Sequence, residues 1–187
     1  MKKLLFLFIA ITTLTSAVAQ TQVGEVTLPN TLNFGGQDLM LNGAGIRKKA
    51  MVLKLYSGGL YLTQKTNKAS TIINADETMA IRLVITSSFV SSEAMSEAVA
   101  EGFDASTDGN TKAIASDIKK FMTFFSDEIV EGDTFDITYQ KGTGTVCYKN
   151  KKELGTISGM TFKKALFGIW LGNDPADSKL KKGMLGK

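Results

Sequence analysis

Between residues 134 and 157 the chain alternates in twos and reverses direction twice within a very short span. Phe135, Ile137 and Tyr139 alternate with Thr134, Asp136 and Thr138, a period that puts the apolar set on one face of a strand. The Lys141-Gly142 turn leads at once into 145–149, and residues 150–152 turn the chain again toward 154–157. Connections this short cannot carry a crossover, so the three strands form a meander of antiparallel hairpins. Met79, Ile81, Leu83 and Ile85 alternate with Ala80, Arg82, Val84 and Thr86 in the same way. Further strands are read at 23–28, 38–41 and 51–63, the last with Gly58 and Gly59 marking a bulge or a close backbone approach.

Helical periodicity interrupts these strands. Ser91 or Ser92 can cap a helix whose Ala94, Met95, Ala98 and Val99 share a face. Ile114, Ile118, Phe121, Met122 and Phe125 recur at three-and-four spacing, as do Phe162, Ala165, Leu166 and Ile169 in a helix over 161–171. That helix stops at Gly172 with Pro175 shortly after, and a short last helix is expected over 176–185. Strands, then helices, then hairpins, then helices argue for an α+β domain, an antiparallel sheet with helices on one face.

The first nineteen residues stand apart. Lys2 and Lys3 precede an unbroken apolar run from Leu4 to Ile11, and Ala17-Val18-Ala19 supplies small residues before Gln20. This is the pattern of a cleavable secretory signal, too short to read as a stable membrane span. Cleavage after Ala19 and a periplasmic or secreted destination are expected, with residues 20–187 as one domain and no integral membrane segment left. Removing two lysines and no acid lowers the net charge from +4 to +2. The lysines are scattered, so no nucleic-acid footprint is present. Cys147 is the only cysteine and histidine is absent. An internal disulfide, Ser-His-Asp or Cys-His catalysis and a His-based metal site are thereby excluded. Cys147 sits in an apolar strand pattern, where a buried structural thiol is expected. No metal and no cofactor are expected.

One segment carries most of the functional information. Asn42-Gly43-Ala44-Gly45-Ile46-Arg47 reads as a glycine turn delivering an arginine just ahead of Lys54-Leu55-Tyr56-Ser57-Gly58-Gly59-Leu60-Tyr61-Leu62. Arginine stays charged at any relevant pH and offers a planar fork of donors suited to a carboxylate or phenolate. From these residues alone, Arg47 is either such an anchor or a surface residue at a strand entrance. Met95, Ile169 and Trp170 are likewise either cleft lining or ordinary helix core.

These motifs, with Ala165-Leu166-Phe167-Gly168-Ile169-Trp170-Leu171-Gly172, resemble the chalcone isomerase family and its secreted bacterial chalcone isomerase-like branch. The resemblance implies an open-faced antiparallel sheet wrapped by helices, with a ligand cleft between them. It implies that Arg47 is the cleft arginine, which holds a phenolate in the enzymes and a carboxylate in the fatty-acid-binding relatives. A strand threonine of the enzymes falls on Tyr56, and a helix tyrosine and asparagine fall on Met95 and Gly102. A late-helix threonine or serine and its apolar neighbour fall on Ile169 and Trp170. Polar groups that stabilise a developing enolate are thus replaced by apolar ones. The expectation is a secreted, non-catalytic binder of a small hydrophobic or amphipathic acid, held by Arg47 and Tyr56 with Met95, Ile169 and Trp170 around its tail. The alternatives are an isomerase of the intramolecular lyase type, with Arg47 and Tyr56 as its catalytic pair, and a ligand-free envelope scaffold.

Overall fold

The computed structural model describes residues 20–50 and 52–187; the expected signal segment lies outside these residues. Seven strands form a single antiparallel sheet in which every neighbour in space is also a neighbour in sequence. They are β3 (Thr31–Phe34), β4 (Gln37–Lys49), β5 (Leu53–Leu62), β6 (Met79–Ile85), β7 (Thr134–Gln140), β8 (Gly144–Lys149) and β9 (Lys152–Ile157). A separate hairpin, β1 (Gln20–Val23) and β2 (Val26–Pro29), precedes them. The strand expected over 23–28 is therefore two strands, broken where Gly24 takes a left-handed φ of 64°.

The helices are inserted between strands of the meander. α1 (Ala69–Asn74) follows β5, and α2 (Ser92–Ser106) and α3 (Ala115–Met122) follow β6. α4 (Met160–Leu171) and α5 (Ser178–Met184) close the chain. Ser91 caps α2 by accepting the Ala94 N–H. The fold is α+β, a curled antiparallel sheet covered by helices. Tyr56, Leu60, Ile81, Leu83, Ile85, Phe135, Ile137 and Cys147 face the helices and form the main core with Phe103, Phe121, Phe162 and Trp170. On the opposite face Leu39, Leu41, Tyr61 and Ala80 form a smaller core, and Arg82 pairs Asp136 through two hydrogen bonds of 2.6 and 2.8 Å. Period-two alternation thus separates two apolar layers. Cys147 is fully buried, and burial pushes its thiol far above the ordinary range.

Two further features depart from the expectation. First, the glycines ahead of Arg47 are not in a turn. Strand β4 is thirteen residues long, with an irregularity between Leu41 and Gly43, and runs straight through Gly43-Ala44-Gly45 to Arg47. The glycines are there because α5 lies across the strand: a Cβ on Gly43 would stand 2.2 Å from the Gly183 carbonyl oxygen. Reciprocally, a Cβ on Gly183 would meet the Ala44 oxygen at 2.4 Å. Backbone touches backbone, and only glycine permits it.

Second, α4 carries a fully buried lysine. The Lys163 ammonium donates to the carbonyls of Ile72, Ile73 and Ala75 at 2.8, 2.9 and 2.8 Å. It thereby caps the C-terminal end of α1, an element absent from the sequence reading. Burial lowers Lys163 to about 8.

Candidate functional site

The register of β4 against β5 sets Arg47 directly opposite Tyr56, on the face that the helices cover. The Arg47 guanidinium lies 5.5 Å from the centroid of the Tyr56 ring, a cation–π contact. It forms no ion pair among the described residues. Tyr56 is 2% exposed, and its hydroxyl accepts the Trp170 indole N–H at 2.9 Å. Burial raises the Tyr56 hydroxyl above the usual phenol range, against the opposing pull of the Arg47 charge and the Trp170 hydrogen bond.

Asp177 stands behind this pair as the cap of α5. One carboxylate oxygen accepts the N–H groups of Lys179 and Leu180 at 2.7 and 2.9 Å, and the other accepts the Lys48 N–H at 3.1 Å. Burial would raise Asp177, but those three backbone donors outweigh it and, with the charge of Arg47, hold the carboxyl below its ordinary value. Both of its oxygens thus accept from the backbone. The group orients α5 against β4.

That cavity has a volume of about 420 Å³ and opens between the β4–β5 end of the sheet and helix α2. Arg47, Tyr56 and Met95 all line it, together with Leu55, Val90 and Ala98. Lys48, Lys49, Glu97 and Glu101 border it as well. A second cavity of about 420 Å³ between α1, α2, α4 and α5 contains none of the candidate residues. Among the described residues no group of three or more potential metal ligands occurs.

Ile169 and Trp170 occupy different places from the other three candidates. Neither reaches the cavity wall. Trp170 lies behind it, 4% exposed, and fixes the Tyr56 hydroxyl. Ile169 turns toward α2 and packs on Gly102, where a Cβ would come within 2.7 Å of its Cγ2. The position that the resemblance aligns with an asparagine therefore has no room for a side chain. An isoleucine from the facing helix fills it, and the cavity stops short of that depth. The hydrogen-bonding role of Trp170, the carboxylate of Asp177 and the rim residue Phe89 escaped the sequence reading. Asp177 carried a legible signal, a capping residue just before a short helix and just after Pro175.

A family model described as chalcone isomerase-like matches residues 20–186. The fold is similar to the crystal structure of an Arabidopsis thaliana fatty-acid binding protein, with a TM-score of 0.66 and 18% sequence identity. That alignment covers 86% of this chain and 91% of the other. No curated protein matches the sequence.

Proposed function

The chain belongs to the chalcone isomerase-like family, and from that premise we propose that it is an exported, non-catalytic binder of a small amphipathic acid of the fatty-acid kind. The observation that carries this reading is Arg47: a cation with no ion-pair partner among the described residues, stacked on a buried tyrosine at the wall of a cavity that has an apolar side at Leu55, Val90, Met95 and Ala98 and a charged border. A guanidinium in this setting can bind a carboxylate through two parallel N–H···O bonds. The alkyl tail then lies along Leu55, Val90, Met95 and Ala98. Burying it contributes about 0.8 kcal/mol per methylene, so affinity comes mainly from the tail and orientation from the arginine. The fatty-acid binding protein of similar fold supports the ligand class. The leader pattern of residues 1–19 supports export.

Calorimetry with a series of saturated fatty acids tests the reading. Affinity should rise with chain length until the cavity is filled. Arg47→Ala should weaken binding by about 2–5 kcal/mol, the usual cost of removing one partner of a desolvated charge pair. Arg47→Lys should restore only part of it, because a point charge cannot reproduce the fork. Equal affinity in wild type and Arg47→Ala, with circular dichroism unchanged, would make Arg47 an ordinary strand residue and favour the scaffold reading.

A further inference from the structure

Most large apolar side chains among the described residues are buried; of the four that are exposed, Met40 at 41% and Val130 at 49% do not line the Arg47 cavity, whereas the two most exposed sit beside its mouth. Val52 is 81% exposed and Phe89 is 70% exposed, the two highest values among the exposed large hydrophobic residues described. Phe89 lines the mouth of the Arg47 cavity, and Val52 lies in the β4–β5 turn between Ala50 and Leu53, which line it too. Leaving both side chains in water has no packing benefit, and exposed apolar groups gathered on one rim mark a contact surface.

The charges around them identify the partner. The strand ends flanking Val52 carry Lys48 and Lys49 on β4 and Lys54 on β5, with no acid from 48 to 54. Lys54 is paired with Glu25, while Lys48 and Lys49 form no ion pair among the described residues. The β6–α2 loop around Phe89 contributes Ser87, Ser88 and Ser91 and no charged residue of its own. The acidic part of the surface is Glu97 and Glu101 on α2, with Glu131, whose carboxylate accepts the Ser88 N–H at 2.8 Å and so lies beside Phe89. The rim is thus divided into an apolar tip flanked by free lysines and an acidic helix edge.

We propose that Val52 and Phe89, with Lys48 and Lys49 beside them, dock this protein on the surface of an anionic lipid bilayer, with the cavity mouth facing the lipid. Apolar tips enter the interface while adjacent lysines meet the anionic headgroups, and the two contributions add. Glu97, Glu101 and Glu131 are repelled and set the tilt, so Val52 with its lysines approaches first and Phe89 follows. The inference rests on the proposed acid-binding site for its purpose: a ligand whose tail partitions into membranes would enter and leave without crossing water.

Co-sedimentation with vesicles tests it, using the protein without residues 1–19, since every element of the described fold lies beyond them. Vesicles of phosphatidylcholine with a minority of phosphatidylglycerol should carry the protein down, and pure phosphatidylcholine should carry much less. Raised salt should weaken the binding. Val52→Asp should weaken it about tenfold or more, Phe89→Ser should weaken it too, and the pair Lys48→Glu and Lys49→Glu should also cost on the order of tenfold. Val52→Asp should still bind dodecanoate in vesicle-free solution.

No sedimentation with either vesicle, beside normal dodecanoate binding, would overturn the docking surface and leave the acid site standing. Sedimentation indifferent to Val52→Asp and Phe89→Ser would overturn it as well. So would a dimer in solution that Val52→Asp dissolves, because the rim would then be an interface between copies. Variant-sensitive vesicle binding without any dodecanoate binding would uphold the surface and reject the acid reading.

Discussion

Arg47 and Lys163 show how differently two cations can be used in one domain. Arg47 is half-buried beside a cavity, stacked on Tyr56. Lys163 is wholly buried, and each of its three N–H donors meets a carbonyl at the end of α1. Nothing is left over for a ligand, so its role is to hold α1 to α4. Tyr139 and Phe167 rings at 5.4 and 5.3 Å enclose it. Lys163→Met keeps the length and the apolar contact but leaves three acceptors without their donor. The variant should lose about 3–5 kcal/mol in urea unfolding, the range for an uncompensated buried polar set. Hydrogen exchange should speed first around residues 69–75. Near-wild-type stability would mean that water replaces the ammonium.

At the scale of elements, the joint between β4 and α5 positions the site. Gly43 and Gly183 let the two backbones touch, Leu180 lies on Gly45, and Met184 lies on Gly58. Asn42 ties the joint further, donating to the Met184 carbonyl at 2.8 Å. Gly43→Ala places a Cβ against backbone, not against a yielding side chain. It should cost about 3 kcal/mol or more by thermal or urea unfolding. Asp177→Ala removes the α5 cap and should cost about 1 kcal/mol near neutral pH. The sign of its pH dependence follows from its lowered carboxyl. A group more acidic folded than unfolded adds stability above its unfolded value of 3.8, and that stability is lost as pH falls through the folded value. The wild type should therefore approach the variant's stability in acid. A constant gap between them down to pH values below both pKa values would show that the charge of Asp177 is not what matters.

For the whole molecule, the sheet-and-helix frame is one that the fatty-acid binding protein of Arabidopsis also has, and the chemistry rests on what fills it. Met95 lines the cavity where the family resemblance implies a tyrosine, and Ile169 on Gly102 closes the space of an asparagine. Loss of a single oxyanion donor costs about 10²–10³ in rate in a well-studied hydrolase. Tyr56 remains, but burial holds its hydroxyl above the phenol range and the indole of Trp170 already donates to it. Chalcone cyclisation followed by absorbance should consequently stay at the uncatalysed background. Turnover that disappears in Arg47→Ala would promote the isomerase reading instead.

Much of this was legible in the residues. Period-two alternation and short turns dictated the antiparallel meander from β7 to β9, because no other pairing can be reached across two or three residues. Capping serines and helical spacing located α2 and α4. Cys147 was readable as a buried thiol from its strand neighbours alone. Arg47, Tyr56 and Met95 were readable as candidates from their chemistry, their motif and the family resemblance. Their meeting at one cavity was decided by the β4–β5 register and the placement of α2, which join residues far apart in sequence. The same holds for Gly43-Ala44-Gly45. Locally the segment has every mark of a turn, and only the backbone of α5, some 140 residues later, explains why glycine is needed in an unbroken strand. Ile169 and Trp170 make the point most sharply. Neighbouring residues on one apolar helix are alike in sequence, yet one closes the cavity's depth against Gly102 and the other orients the tyrosine beneath Arg47. Local pattern sets which face of an element is apolar. What that face meets is set by long-range packing, which no local pattern encodes.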